Sequence, residues 1–334
     1  MVGRFTRIRA SILVIPNMNN RIITVLGDAL PDEMGVTDAH NHIWISPVNS
    51  GFEGAPVLND QNAILDELID FSKNGGGGQI DCQPYGCGRD AGKLKALSLH
   101  SGVKIVAATG FHLKQYYPSD CALWNMSSDE AYKFFLSEIN QGCAETLEQD
   151  SIVQPGFIKI AVGENFQTSP LHLVEAAVHA SRESGLAILM HTEKGQSVEE
   201  FVNLISKRGL TPNRLVICHI DKRPDCGLHK ELAQSGFLLE YDTFFRQKYE
   251  PEKNLWPLIK VMVNSGLSDA IAFATDMADG SMWAHLGGGP GLSAFMKQII
   301  KRLEEMEFSD KIITALTGDN INARLAVPIK GEKE

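Results

Sequence analysis

Val36-Thr-Asp-Ala-His-Asn-His-Ile-Trp44 places two histidines two residues apart in an otherwise largely apolar run. It predicts a β-strand, in which residues two apart point to the same side. His40 and His42 can therefore share one cation, because imidazole is the commonest metal ligand. The pair alone is equally typical of a polar strand end. The other strands of the chain decide between these two interpretations.

Four further apolar runs each contain or precede an ionisable side chain. They are Phe157-Ile-Lys-Ile-Ala-Val162, Ile188-Leu-Met-His-Thr192, Val216-Ile-Cys-His-Ile-Asp221 and Ala272-Phe-Ala-Thr-Asp-Met277. Burying even one such group as an unpaired charge costs several kcal/mol. Five strands are not expected to carry this cost by coincidence, whereas convergence on a metal centre would offset it. This pattern is typical of a two-metal hydrolase, with the candidate ligands His40, His42, Lys159, His191, His219 and Asp276.

The composition limits the fold and the partners. The chain has 334 residues, of which 43% are hydrophobic and 22% are charged, so it can bury a large core. Its formal net charge is -10. Neither nucleic acid nor an anionic membrane surface attracts an acidic protein without a local basic patch, and the sequence has no such patch. We therefore expect neither as a partner.

The amino-terminal segment and the cysteines predict a cytoplasmic protein. The start is basic, but the apolar stretch 12–15 meets Pro16 and is too short for a signal peptide or a membrane span. The six cysteines form no Cys-x-x-Cys pair, which suits reduced thiols in an intracellular enzyme.

Strand-like and helix-like segments alternate along the chain. Eight strand-like runs end near His42, Gln83, His112, Val162, His191, His219, Asp242 and Asp276. Helical periodicity covers residues 61–72, 91–100, 129–147, 171–184, 198–207, 228–234, 255–264 and 292–306. This alternation predicts an α/β fold, a (β/α)8 TIM barrel with its active site at the carboxyl ends of the strands. We expect one domain over residues 1–334, with a short β extension over about 1–35 and the barrel over about 36–325.

Several motifs resemble those of a known family. They are Thr24-Val-Leu-Gly27, Asp38-Ala-His-Asn-His42, Asp81-Cys-Gln-Pro-Tyr-Gly-Cys-Gly-Arg-Asp90, Ala108-Thr-Gly-Phe-His112, His219-Ile-Asp-Lys-Arg-Pro-Asp225 and Asn320-Ile-Asn-Ala-Arg-Leu325. In this order and spacing the chain resembles the amidohydrolase superfamily, and within it the lactonase-like branch of the phosphotriesterase-like hydrolases. The resemblance covers nearly the whole chain.

The resemblance implies two metal ions with different ligands. His40, His42 and Asp276 would hold the more buried ion, and His191 and His219 the more exposed one. Lys159 would bridge them after carboxylation by carbon dioxide, because an ammonium group cannot bind a cation. Without metal, Lys159 would be a buried ion-pair partner. The ligand types suit zinc, although manganese, cobalt, nickel or iron fit the same set.

The resemblance also implies a reaction and its participants. A metal-bridging hydroxide would attack the substrate, and Asp276 would take the next proton and pass it to the leaving group. Asp221 would relay that proton or, as an alternative, orient a histidine ligand. His112 lies where lactonases of this family often have Tyr, so it would contact the substrate carbonyl or simply end its strand.

The substrate is less clearly indicated by the sequence. Lys222, Arg223 and Arg246 either bind an anionic group or are exposed charges. Asp279-Gly-Ser-Met-Trp283 stands where relatives that act on phosphorylated sugar lactones commonly have two arginines before Ser-Tyr-Trp, which argues against a phosphate. Trp44 and Trp283 either line the pocket or fill the core.

The expected function is that of a lactonase acting on a sugar lactone or a related lactone as its small-molecule substrate. A carboxylesterase, amidase or organophosphate triesterase with the same metals is the alternative among enzymes. A non-catalytic, metal-stabilised binding protein is the alternative of another class. The resemblance alone also suggests a homodimer.

Overall fold

The computed structural model describes residues 20–149 and 151–328. The part of the predicted β extension before residue 20, with the basic start and the apolar stretch 12–15, lies outside the described residues. Within them, β1 (Asn20–Thr24) pairs antiparallel with β2 (Gly27–Ala29) and with β12 (Val327–Pro328). These three strands form a small sheet that joins the two ends of the described chain.

The remaining strands run parallel and follow one another in chain order around a barrel. They are β3 (Val36–Asn41), β4 (Gly76–Asp81), β5 (Lys104–Val106), β6 (Ala108–Gly110), β7 (Phe157–Val162), β8 (Ile188–Thr192), β9 (Leu215–Cys218), β10 (Leu238–Tyr241) and β11 (Ile271–Phe273). Ala107 separates β5 from β6, which together occupy the third of eight strand positions. The observed strands end within a few residues of the predicted ends, and the predicted α/β barrel is confirmed.

The last barrel strand, β11, and the first, β3, are joined by contacts other than a β-ladder. Parallel ladders connect β3 to β5 and β6 to β11, but none links β11 to β3 in the described chain. There the backbone N–H of Asp276 donates to the carbonyl of His40 at 2.9 Å. The buried Asp38 carboxylate accepts from the Thr275 N–H at 3.0 Å and also from the Thr275 hydroxyl. These hydrogen bonds therefore join the two strand ends where the predicted ligands His40 and Asp276 lie.

Helices cover the outside of the barrel. They are α1 (Gln61–Lys73), α2 (Ala91–Ser101), α3 (Ser128–Gln141), α4 (Leu171–Ser184), α5 (Val198–Lys207), α6 (Cys226–Gln234), α7 (Leu255–Asn264), a π-helical turn (Phe295–Ile300) continued by α8 (Lys301–Glu305), α9 (Asp310–Thr314) and α10 (Asn320–Leu325). The prediction of a helix over 129–147 was too long, because Gly142 ends α3 with a φ of 121°. None of the described helices is long and apolar enough to span a membrane.

The strand residues alternate between two apolar clusters. Ile158 and Ile160 belong to the large cluster between strands and helices, whereas Phe157 packs in a second cluster with Leu189 and Val216. This alternation is the pattern of a closed sheet with a filled interior. Lys159 falls between Ile158 and Ile160 and therefore points to the interior side with Phe157.

Candidate metal centre

Four histidines, a lysine and an aspartate meet at the carboxyl ends of the strands. His40 and His42 come from the end of β3, and their Nε2 atoms lie 3.9 and 3.7 Å from Oδ1 of Asp276, which follows β11. Ligand atoms of these three residues lie close enough together to hold one metal ion. The spacing of two residues in an extended strand thus brings both imidazoles to the same carboxylate.

Lys159 lies beside this group, in the middle of β7. Its side chain is fully buried, and its Nζ is 3.0 Å from Nε2 of His40. The neighbouring strand ends with Gly110 at a φ of 102°, where a Cβ would stand 1.9 Å from the Lys159 carbonyl oxygen. Only glycine lets β6 approach β7 this closely, so Gly110 fixes the position of the Lys159 backbone.

His219 and His191 complete the cluster. Their ring centroids are 4.6 Å apart, and that of His219 is 4.5 Å from that of His40. Nε2 of His219 is buried without a hydrogen-bond partner, whereas its Nδ1 contacts the carboxylate of Asp242. His191 is partly exposed, and its Nε2 is 2.7 Å from Glu193. His191 therefore lies on the more open side of the cluster, whereas His219 is buried.

Two of these residues have an unusual backbone conformation. His219 has a φ of 63° and Asp276 a φ of 47°, which is the left-handed region that non-glycine residues rarely adopt. Such conformations persist where the surrounding contacts enforce them, and they occur often at functional sites. Here the turn directs each side chain into the cluster immediately after its strand ends.

The protonation states favour metal binding. Burial lowers the pKa of His42 to about 4 and the pKa values of His40 and His219 well below their usual value. Burial would raise the pKa of Asp276, but the positive charge of Arg246 and the contact with His219 outweigh it and lower that pKa. At neutral pH the cluster thus offers neutral imidazoles and a carboxylate, which are the forms that bind metals.

The donor atoms of the cluster suit divalent cations. An unpartnered buried imidazole nitrogen on His219, together with the convergence of His40, His42 and Asp276, suits a cation. Lys159 as an ammonium would repel that cation. The lysine therefore does not fit the centre in its protonated form.

Glu240 and Asp242 also belong to the site, and the sequence interpretation missed both. Oε2 of Glu240 lies 3.3 Å from Nδ1 of His40 and accepts the backbone N–H of His219 at 3.0 Å. Glu240, Asp242 and His219 form a second group that could hold a metal ion. The signal was present in Leu238-Leu-Glu-Tyr-Asp242, where two carboxylates lie two residues apart in an apolar strand.

Asp221 contacts the chain that follows β10. Its Oδ2 accepts from the backbone N–H groups of Asp242 and Thr243, at 3.0 and 2.9 Å, and from the Thr243 hydroxyl at 2.7 Å. Burial and the charge of Asp242 raise the pKa of Asp221 to about 7. These contacts agree with the alternative that Asp221 orients a ligand, since they fix Asp242, which contacts His219. Its role as a proton relay stays a prediction.

Lys222 and Arg246 lie beside Asp276. Nη2 of Arg246 is 2.8 Å from Oδ2 of Asp276, and Nζ of Lys222 is 3.9 Å from the same oxygen and 3.8 Å from Oδ1 of Asp242. Both cations are therefore paired with carboxylates of the cluster. Neither is an exposed charge.

Three other predicted substrate contacts have their partners outside the cluster and do not line the pocket beside it. Arg223 forms an ion pair with Glu199 at 2.8 Å. Trp44 is buried and donates to the hydroxyl of Ser46 at 2.8 Å, while Trp283 is fully buried and donates to a backbone carbonyl at 2.8 Å. Both tryptophans pack in the large apolar cluster, which is the core-filling alternative.

A pocket of about 350 Å³ opens above the cluster. Its floor contains His42, His191 and Asp276, and His112 lines it with a ring centroid 5.3 Å from that of His191. Of the predicted substrate contacts, His112 is the one that lines this pocket. The cluster is thus accessible to a small molecule.

A parallel barrel with histidines, a lysine and an aspartate at the carboxyl ends of its strands defines the class of metal-dependent barrel hydrolases. The sequence of residues 20–324 matches the phosphotriesterase family. The chain belongs to this family of metal-dependent hydrolases, and the protein is a hydrolytic enzyme.

Relatives and solved structures agree with this assignment. The chain is 29% identical to a phospho-furanose lactonase of Mycoplasmopsis synoviae over 76% of this chain and 75% of that protein. It is 24% identical to an N-acetyltaurine hydrolase of Salmo salar over 91% of this chain and 97% of that protein. A crystal structure of a lactonase from Listeria monocytogenes superposes with a TM-score of 0.84 and 25% identity, covering 93% of this chain and all of that one. These likenesses are consistent with the lactonase-like branch.

Proposed function

We propose that the protein is a lactonase with two divalent metal ions, which opens a sugar lactone or a related lactone. The observation that carries this proposal is the convergence of His40, His42 and Asp276, of which His42 and Asp276 line an open pocket. The similarity to a phospho-furanose lactonase and to a lactonase structure supports the choice of substrate class. The pocket size suits a small ring compound.

The metal ions would have separate ligands. One ion would be held by His40, His42 and Asp276, and the other by His191 and His219. Carboxylated Lys159 would hold both ions. When bound, such ions make water a stronger acid and polarise a carbonyl oxygen. Zinc suits these ligands best, while manganese, cobalt, nickel and iron fit the same donor types.

The side chains of the pocket would then move protons. The ionised Asp276 carboxylate accepts a proton during attack and returns it to the oxygen of the opened ring. Nδ1 of His112 accepts the backbone N–H of Leu113 at 2.7 Å, so the neutral ring carries its proton on Nε2. His112 is therefore able to donate a hydrogen bond to the substrate carbonyl.

An amidase is the second candidate function. Relatives named N-acetyltaurine hydrolases match over 91% of this chain, which is a larger share than the phospho-furanose lactonase covers. The same residues would perform both reactions, since the ligand cluster does not distinguish between an ester and an amide carbonyl.

Asp276→Asn tests the proposal. Protein reconstituted with zinc is assayed by proton release against a panel of sugar and aliphatic lactones, and by detection of the released amine against N-acetylated amines. We expect turnover of at least one lactone and a loss of about a hundredfold or more in kcat for the variant, because the general base is removed. Asp279→Asn is the matched control, since Asp279 is an exposed carboxylate three residues further on.

The metal content of each protein, measured by atomic spectroscopy, distinguishes loss of the base from loss of the ions. An inactive Asp276→Asn variant that still binds metal supports a catalytic role for Asp276. Hydrolysis of amides without any lactone would replace the first proposal by the second. No hydrolysis of either class by fully metal-loaded wild-type protein would refute both proposals and leave the carboxylesterase and organophosphate triesterase alternatives.

A further inference from the structure

A glutamine contacts one of the candidate ligand histidines. Gln83 follows β4 directly after Cys82, and its Oε1 lies 2.7 Å from Nδ1 of His42. Both side chains are buried, so water does not compete for this contact. The other ring nitrogen of His42, Nε2, is the one that lies 3.7 Å from Asp276. Gln83 therefore stands behind the imidazole, on the side away from the proposed metal.

The other three candidate histidines each contact a carboxylate behind the ring. The pairs are His40 with Glu240 at 3.3 Å, His191 with Glu193 at 2.7 Å and His219 with Asp242. A carboxylate in this position increases the basicity of the imidazole as a ligand. His42 differs from the other three, because the group behind its ring is a neutral amide.

The contacts of Gln83 determine which way its amide points. Its Nε2 donates to the backbone carbonyl of Cys87 and lies 3.3 Å from the sulfur of the same residue. In the reversed orientation, the amide oxygen would face that carbonyl oxygen, and neither of these acceptors could supply a proton. Oε1 of Gln83 therefore faces His42.

The orientation of the amide in turn determines the tautomer of His42. An amide oxygen only accepts, so Nδ1 of His42 has to donate its proton to Gln83. A neutral imidazole carries one proton, and Nε2 is then left with a free lone pair. This lone pair is on the nitrogen that lies nearest to Asp276, where the metal ion would be held.

The carbonyl that orients the amide belongs to a fixed turn. The thiol of Cys87 donates to the carbonyl of Pro84 at 3.3 Å, which closes the turn. The next residue, Gly88, has a φ of 107° and accepts the N–H of Ser46 at 2.7 Å. A Cβ at Gly88 would stand 2.7 Å from the carbonyl oxygen of Ser46, so only glycine allows this approach. The turn therefore holds Cys87 in place on both sides.

Gln83 also lines the active-site pocket, but its amide is already engaged at both ends. The oxygen contacts His42, and the nitrogen contacts the carbonyl and the sulfur of Cys87. A substrate in the pocket would have to displace one of these buried hydrogen bonds, which is unfavourable. The geometry is thus that of a residue that acts through His42.

We propose that Gln83 is a positioning residue, which holds His42 in the tautomer that binds metal through Nε2. This inference rests on the metal centre of the proposed function and not on the identity of the substrate. Outer partners of this kind typically contribute 10- to 100-fold to metal affinity. Removal of the acceptor frees the Nδ1 proton to move to Nε2, because Asp276 is able to accept it there.

The first measurement determines the tautomer of His42 in the metal-free protein. Histidine rings are labelled with nitrogen-15 and observed by NMR, and the signal of His42 is identified by its loss in His42→Asn. We expect the proton on Nδ1 in the wild type and a population with the proton on Nε2 in Gln83→Met. Methionine has a similar size but offers no amide oxygen, so it removes the acceptor without leaving a large cavity.

The second measurement compares zinc affinities by competition with a chelator of known strength. Gln79→Met is the matched control, because Gln79 is a fully buried glutamine of β4 whose oxygen accepts from the Asn41 amide at 3.2 Å. Both variants lose a buried hydrogen bond, but only Gln83→Met loses one to a candidate ligand. We expect the zinc affinity of Gln83→Met to be about 10- to 100-fold below those of the wild type and the control.

The two measurements distinguish failure of this inference from failure of the proposed function. A wild-type His42 with its proton on Nε2 would overturn the role of Gln83 without any variant, and so would equal zinc affinities for the two variants. A wild type that binds no zinc would refute the metal centre itself. Neither measurement uses a lactone, so absence of lactone turnover together with the expected tautomer and affinities would refute only the lactonase function.

Discussion

Glu240 contacts residues of both predicted metal sites. One of its oxygens lies 3.3 Å from His40, assigned to the buried ion, and accepts the N–H of His219, assigned to the exposed ion. A carboxylate behind a ligating imidazole fixes the orientation of the ring and strengthens it as a ligand. We therefore expect Glu240 to be a positioning residue for two of the candidate ligands.

Glu240→Gln tests this role. Glutamine keeps the shape and one acceptor oxygen but replaces the other oxygen with an amide donor, so we expect metal affinity to fall about 10- to 100-fold. The affinity is measured by competition with a chelator of known strength. Glu67→Gln is the control, because Glu67 is equally buried but accepts backbone N–H groups of His285 and Leu292, outside the cluster. Equal affinities for both variants and the wild type would rule out a positioning role for Glu240.

Residues of the site differ in how well sequence reasoning identified them. The six candidate ligands each follow or interrupt an apolar run, so their burial was predictable from the sequence alone. The pairing of Lys222 and Arg246 with Asp276 was not predictable, because it depends on which strand ends are neighbours in space. Trp44 and Trp283 were ambiguous for the same reason.

At the scale of elements, a buried ion network joins α3 to the start of α2. The side chain of Arg89 is fully buried and contacts the carboxylates of Glu138, on α3, and of Glu145. Arg89 also donates to the carbonyl of Ala108, at the start of β6, and Glu138 accepts from the Thr109 hydroxyl at 2.6 Å. The network therefore connects β6, in the third strand position, to α3 and to the start of α2.

Arg89→Met should destabilise the protein by about 3–5 kcal/mol, because it leaves Glu138 buried without its cation. The free energy of unfolding is measured by urea denaturation. Lys133→Met is the control, since Lys133 forms an exposed ion pair with Asp129 on the same helix, and we expect no measurable change in its denaturation midpoint. A loss no larger than that of the control would contradict the structural role of Arg89.

The same network predicts a dependence on pH. Burial raises the pKa of Glu145, but the hydrogen bond and charge of Arg89 outweigh this effect and hold it below its ordinary value of 4.5. A lowered pKa in the folded state stabilises the protein above the unfolded-state pKa, and this contribution is lost as the pH falls. The difference in stability between wild type and Arg89→Met should therefore shrink below about pH 4.5.

Local capping residues determine where two of the helices begin. The α1 helix begins where Asp60 accepts N–H groups of the first turn, and α3 begins with a capping box between Ser127 and Glu130. These signals are local, so the starts of both helices were predicted within one residue. The prediction missed the end of α3 at Gln141. The apolar periodicity continues past Gly142, whereas the backbone leaves the helical conformation at this glycine.

At the scale of the whole molecule, bound metal would connect strands from opposite sides of the barrel. The ligands follow or belong to β3, β7, β8, β9 and β11, and the seam between β11 and β3 has no ladder in the described chain. A metal that binds only the folded state stabilises it by about 2.7 kcal/mol at a hundred times its dissociation constant.

Removal of metal should therefore lower the melting temperature, and reloading with zinc should restore it. The melting temperature is measured by calorimetry before and after chelation. The Asp276→Asn variant, which lacks an anionic ligand, should show a smaller difference between the two states, and Asp279→Asn should behave like the wild type. Equal melting temperatures with and without metal would show that the cluster does not hold the barrel together.

The barrel and the candidate ligands could be predicted from the amino-acid sequence. Apolar runs that alternate with amphipathic segments leave few ways to bury both, and an ionisable group at the end of a buried strand requires a partner. The folded structure was needed to show which of these groups meet, that Glu240 and Asp242 contact the histidines, and that Phe52 and Val57, rather than the basic residues, line the pocket. The physical reason is that burial and periodicity are local properties of the chain, whereas pairing of charges and the shape of a pocket depend on distances between residues that lie far apart in sequence.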